Sequence, residues 1–135
     1  MSFSISEVAK KMNLSISTIR YYDKEGLLPF VERTESGYRI FSESDIKMLE
    51  LIECLKNTGM PIKDIKIFSD WVKAGDSSLN ERYEMFLERK KTVESQIESL
   101  QKSLDLINHK CLYYKTAIEA GTESIHKNSC CHSIK

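Results

Sequence analysis

Apolar positions change their spacing several times along this chain, and each change marks an element. Ile5, Val8, Ala9 and Met12 recur on one helical face. Ser4 and Glu7, three residues apart, form a capping box that starts this helix. Asn13-Leu14 interrupts the pattern. Ser15 is placed to cap a second helix that buries Ile16 and Ile19, and Gly26, followed by Leu27 and Pro29, suits the left-handed position past its end. Two short helices joined by a tight turn are expected. Next, Phe30-Val31 and Tyr38-Arg39-Ile40-Phe41 flank a polar Glu35-Ser36-Gly37 turn, the pattern of a short hairpin. Ser42 or Ser44 then caps a helix running to about Lys56. Thr58-Gly59 stops it, and Pro61 fits the first turn of the following helix, where its missing N–H costs nothing. That helix turns Ile62, Ile65, Phe68 and Val72 inward and ends near Gly75.

Ser78-Leu79-Asn80-Glu81 repeats the capping-box pattern and opens the most regular stretch of the chain. Leu79, Tyr83, Phe86, Lys90, Val93, Ile97, Leu100, Leu104, Ile107, Cys111, Tyr114 and Ile118 alternate steps of four and three residues without a slip. This is a coiled-coil seam about 40 residues and roughly 60 Å long. The preceding helices are each under half that length, so a second copy of the chain is expected to cover most of it. After Gly121 the text reads as a flexible polar tail containing Cys130-Cys131-His132. The expected division is a head over residues 1–75, a dimerising helix over 76–120 and a tail over 121–135.

Composition narrows the class. The 135 residues are 41% hydrophobic and 30% charged, the mix of a soluble, helix-rich domain with an extension rather than a large enzyme core. No run approaches eighteen apolar residues, so no membrane span is expected. The N-terminus lacks the basic start and apolar core of a signal peptide, which points to the cytoplasm and to free thiols for the four cysteines. Twenty basic residues balance twenty acidic ones, and the first 75 residues are balanced as well. Any claim on nucleic acid must therefore come from where individual charges sit.

The second helix reads Ser15-Ile16-Ser17-Thr18-Ile19-Arg20-Tyr21-Tyr22-Asp23-Lys24. With Ile16 and Ile19 buried, its outer face offers the hydroxyls of Ser15, Ser17 and Thr18, the Arg20 guanidinium and the phenols of Tyr21 and Tyr22. Such groups contact phosphates and base edges when a helix enters a major groove. The hairpin adds Arg33, Tyr38 and Arg39 around its turn, a wing able to grip the backbone beside the groove, and Lys56 is a further phosphate candidate. The alternative for each is ordinary: tyrosines of amphipathic helices are often core, and an exposed lysine is often only solvated. The expected fold is mainly α, a winged helix-turn-helix followed by a long dimerising coiled-coil helix.

Ile5-Ser6-Glu7-Val8-Ala9, the run from Thr18 through Tyr21-Tyr22-Asp23-Lys24-Glu25-Gly26-Leu27-Leu28, Ser36-Gly37-Tyr38-Arg39-Ile40-Phe41 and Leu55-Lys56-Asn57-Thr58-Gly59-Met60-Pro61 together resemble the MerR family of bacterial transcriptional regulators. The resemblance covers residues 4 to about 75. It implies an antiparallel coiled-coil homodimer with a winged helix-turn-helix at each end. It also implies a mechanism in which the activated dimer bends and untwists double-stranded promoter DNA so that RNA polymerase can use it. Arg20, Tyr21, Tyr22, Arg33, Tyr38, Arg39 and Lys56 fall at the family's DNA-contact positions. Drug-sensing members carry a separate ligand domain for which this sequence leaves no room, so the signal is expected to be small or covalent.

The cysteines are the obvious receivers. Cys111 occupies a seam position, where cysteine behaves as a small hydrophobe. Cys130, Cys131 and His132, with His126 nearby, have soft-metal ligand chemistry. Metal-sensing relatives place cysteines just beyond the coiled coil, but the compact two-cysteine loop typical of them is missing between Cys111 and Cys130. A metal-responsive regulator using Cys111 and the tail is therefore the alternative reading. Cys54 differs: on a helical wheel Met48, Leu49, Leu51, Ile52 and Leu55 fill one arc, and Cys54 lies outside it, between Glu50 and Lys47. A cysteine on the polar side near an ammonium is placed to react rather than to fill space. The stretch from Ile52 to Pro61 also resembles the MerR subgroup that senses aldehydes and nitrosative or other thiol stress, in which a cysteine here is the proposed sensor. Cys54 is the expected sensor, with no cofactor and no metal required. No Gly-rich phosphate loop, HExxH pair or GxSxG elbow occurs, so an enzyme is not expected. A coiled-coil adaptor that ignores DNA would explain the seam but leave the Arg20-Tyr21 face idle.

Overall fold

A computed structural model describes residues 1–126, and the described chain is mainly helical. In chain order it contains β1 (Ser2–Phe3), α1 (Ile5–Met12), α2 (Ile16–Lys24), β2 (Glu32–Arg33), β3 (Arg39–Ser42), α3 (Glu43–Asn57), α4 (Ile62–Ala74) and α5 (Leu79–Ala120). Single 3₁₀ turns occupy Asp76–Ser78 and Glu123–His126. The chain forms two compact units, residues 1–90 and the part beginning at Lys91.

In the first unit the caps follow the sequence closely. Glu7 N–H donates to Ser4 Oγ at 3.2 Å while Ser4 N–H donates to Glu7 Oε1 at 2.9 Å, so α1 starts on a complete capping box. Asn13 ends it in the left-handed region at φ 54°, which a short polar side chain tolerates. Ser15 Oγ accepts the Thr18 N–H at 3.0 Å and starts α2. Gly26 follows α2 at φ +79°, the left-handed region that favours glycine, whereas an added Cβ would meet only the movable end of the Lys66 side chain. Ser42, rather than Ser44, caps α3 and shares its box with Asp45. Pro61 is the N-cap residue of α4, one position earlier than expected.

The sheet has three strands in the order β1-β3-β2, both pairs antiparallel. Phe30 and Val31 lie outside it, because the ladder begins at Glu32 and pairs Glu32 with Ile40 and Arg33 with Arg39. β1 was not foreseen, since two residues carry no periodicity; Phe3 pairs with the fully buried Phe41.

Val8 of α1, Ile19 of α2, Phe41 of β3, Leu49, Ile52 and Leu55 of α3 and Ile65 of α4 form one buried cluster. Each such side chain contributes about 1.5–3 kcal/mol. Ser69 is buried with them and donates its hydroxyl to the Leu27 carbonyl at 2.8 Å. The first turns of α5 belong to this unit: Phe86 meets Phe68 edge-on at 5.4 Å, and Arg89 Nη1 donates to the Thr58 carbonyl at 3.3 Å. The expected capping box at Ser78 is not formed. Ser78 is buried in the 3₁₀ turn, donates its hydroxyl toward the Trp71 and Gly75 carbonyls and accepts from Arg82 Nε.

The second unit is the rest of α5 and the Glu123–His126 turn. His126 stacks on Tyr113 at 4.1 Å, its Nε2 lies 2.8 Å from Thr116 Oγ1, and Tyr113 donates to Glu123 at 3.1 Å. The start of the expected flexible tail is thus packed on α5, because an aromatic pair and three hydrogen bonds are available there. Cys130, Cys131 and His132 lie outside the described residues. Ile97, Leu100, Leu104, Ile107, Tyr114 and Ile118 of the seam are exposed on the single chain.

Candidate nucleic-acid interface

Cap, stripe and outer face divide the side chains of α2 between them. Ser15 spends its oxygen on the cap, with the hydroxyls of Ser17 at 3.1 Å and Thr18 at 2.7 Å. Ser17 and Arg20 are exposed, Thr18 is half-buried, and Tyr21 is 47% exposed. Tyr22 does not join them. It is 1% exposed, because Ile16, Ile19 and Tyr22 are successive steps of three and continue the buried stripe. Its assignment to the outer face is corrected: the phenol points into the head and ends on α3.

There Tyr22 donates to Glu53 Oε2 at 2.6 Å and accepts from Lys56 Nζ at 2.7 Å. Glu53 and Lys56 also approach each other at 3.9 Å. Burial, reinforced by the bond to Glu53, raises the Tyr22 pKa above its ordinary value. The bond to Tyr22 raises that of Lys56. Lys56 therefore sits on α3 as a held ammonium, and its side chain is still 41% exposed.

The wing docks on α2 through an acid that the sequence reading passed over. Asp23 Oδ2 accepts from Arg39 Nε at 2.7 Å and lies 3.6 Å from Arg33 Nη2. Arg39 is only 16% exposed, so it is a covered partner of α2 rather than a free cation, whereas Arg33 remains 54% exposed and also donates to the Gly37 carbonyl. Tyr38, at the wing tip, is 75% exposed. Ser17, Arg20, Tyr21, Arg33 and Arg39 line one trough of about 850 Å³ between α2 and the hairpin, together with Asp23 and Lys24. Neither Tyr38 nor Lys56 lines it. Asp23, Lys24 and Glu53 were missed; the readable signal for Asp23 was a lone acid on a helix facing a hairpin with two arginines.

Cys54 is exposed on α3, and so is Cys111 on α5. Cys54 follows Glu53, and its carbonyl accepts the Thr58 N–H at 3.3 Å. Arg89 of α5 grips that same Thr58 through its carbonyl and hydroxyl. The helix that carries Cys54 is thus tied to α2 through Glu53 and Lys56, and the C-cap residue that follows it to α5 through Arg89. Among the described residues no group of three or more His, Cys, Asp or Glu is placed to hold a metal ion, and no helix is long and apolar enough to cross a membrane.

Comparison with known proteins finds a matching family model and similar chains. The profile described as MerR HTH family regulatory protein matches residues 3–70. An uncharacterized HTH-type transcriptional regulator of Haemophilus influenzae is 43% identical over 122 residues, 90% of each chain. The HTH-type transcriptional regulator AdhR of Bacillus subtilis is 36% identical over 92 residues, 67% of this chain and 66% of that one. Among solved structures, HiNmlR, described as a MerR family regulator lacking the sensor domain and bound to promoter DNA, superposes with a TM-score of 0.85. It is 42% identical and covers 93% of this chain and 99% of its own.

Proposed function

Because this chain belongs to the MerR family of DNA-binding transcriptional regulators and is not an enzyme, we propose that it binds double-stranded promoter DNA as a homodimer. In this reading the head, residues 1–75, reads the groove with Ser17, Thr18, Arg20 and Tyr21. Arg33, Tyr38 and Lys56 act on phosphates, and Ser15, Tyr22 and Arg39 hold those groups in place. The observation that carries it is the trough that Ser17, Arg20 and Tyr21 share with the wing arginines. Residues 76–120 supply the dimer helix, and the exposed seam supports this, since a monomer rarely leaves such an apolar row in water. The protein acts in the cytoplasm with RNA polymerase at the same promoter.

The signal is thiol chemistry at Cys54. An aldehyde adding to the Cys54 thiol forms an Sγ–C bond while its carbonyl oxygen takes up the thiol proton, giving a hemithioacetal with nothing left over. Supporting the assignment are the exposure of Cys54 and its position between Glu53, bonded to Tyr22, and Thr58, held by Arg89. An adduct that displaces α3 would bias the spacing of the two heads without releasing the DNA.

The experiment is transcription from the target promoter in cells exposed to an aldehyde, with operator affinity measured in parallel. Cys54→Ser is expected to bind the operator with near-normal affinity and to lose induction, while Cys111→Ser responds. Full induction in Cys54→Ser overturns the sensor assignment. Loss of operator binding by Cys54→Ser overturns the separation of sensing from binding.

A further inference from the structure

We propose that Asp23 is the positioning residue of the DNA interface, a latch that sets the wing against α2. The inference rests on the DNA-binding reading of that face. Its starting point is a conflict within the hairpin: Arg33 and Arg39 are directly opposed across β2 and β3. Like charges in that relation repel. β2 is the edge strand of the sheet and its ladder with β3 is only two residue pairs long, so it has little pairing with which to resist them.

Asp23 removes the conflict from outside the hairpin. One carboxylate oxygen takes the Arg39 Nε–H at 2.7 Å and faces Arg33 Nη2 at 3.6 Å, and both Asp23 and Arg39 are largely covered. The wing is therefore fixed to the helix that reads the groove, not merely joined to it by chain. An acid in this position would otherwise oppose DNA binding, because it places negative charge beside the phosphate-facing cations. The two roles predict opposite signs: simple electrostatic drag is relieved when the charge is removed, whereas a latch fails.

The test is a double-mutant cycle on operator affinity and its salt dependence, using full-length Asp23→Ala, Arg39→Gln and the double variant. Each single variant is expected to bind about ten-fold more weakly, with a salt slope flatter by about one unit because Arg33 no longer meets its phosphate. The double variant should be no weaker than either single one, and Asp23→Glu should recover part of the loss. Trypsin should cut Asp23→Ala faster after Arg33, a readout independent of DNA. Where Asp23→Ala does not unfold cooperatively, isosteric Asp23→Asn takes its place in the cycle.

Tighter operator binding on removal of the Asp23 charge overturns the proposal. So do multiplicative losses in the double variant, which would make Arg39 a phosphate contact in its own right. Arg20→Ala is the control for the underlying reading: if it binds the operator normally, the reading of α2 has failed rather than the latch.

Discussion

Replacing Tyr22 with Phe removes one oxygen and leaves the ring in its buried place, so it tests whether this side chain serves the fold or the DNA. The lost hydroxyl donates to Glu53 at 2.6 Å and accepts from Lys56 at 2.7 Å. Hydrogen bonds to charged partners are worth about 1.5–3 kcal/mol each. Both partners keep access to water, with side chains 29% and 41% exposed, and they already approach each other at 3.9 Å. Hydration and re-pairing recover much of the loss. The net cost is about 1–2 kcal/mol. For a head of this size it lowers Tm by roughly 5–15 °C, read by circular dichroism at fixed protein concentration. Operator affinity below the transition should fall less than three-fold, and its salt slope should not change. An unaltered Tm would refute the network. An unaltered Tm with operator binding lost would restore Tyr22 to the DNA contacts.

Two further outcomes follow from the same structure. Folding raises the pKa of both Tyr22 and Lys56, so from neutral pH up to about pH 10 their linkage contributes fully, and it is lost as pH rises through the folded values. The stability gap between wild type and Tyr22→Phe in urea should hold from pH 7 to 9 and narrow above 10; closure below pH 9 would contradict this. Placing a lysine at Leu104 or a glutamate at Leu100 should give monomers by sedimentation and abolish operator binding, whereas a dimer that persists would move the interface off the seam.

What the sequence made legible was local. Ser4, Ser15 and Ser42 announced their helices because a capping serine acts on a donor only three residues away. The same pattern misled at Ser78, where the preceding turn offers carbonyls that compete for the hydroxyl. Tyr21 and Tyr22 show the limit at the site. Adjacent residues on a helix differ by about 100°, and the three-residue step from Ile19 marks Tyr22 as the inner one, but its acceptor lies 31 residues away. Arg39 looked like a free cation because Asp23 is sixteen residues distant in the chain. The Asp23–Arg39 contact, the Tyr22–Glu53 bond and β1 are tertiary facts, and no window of spacing contains them.

The start of α5 also has a mechanical reading. Arg82 donates to Gly75 and Ser78, and Arg89 donates to Thr58, so the helix is bonded to the turns at either end of α4 at 2.7–3.3 Å. Such bonds stiffen against displacements of a few tenths of an ångström and fail beyond about one. The Arg89–Thr58 bonds are already 3.3 and 3.4 Å long, so the joint has little slack at the α3 end before they are lost.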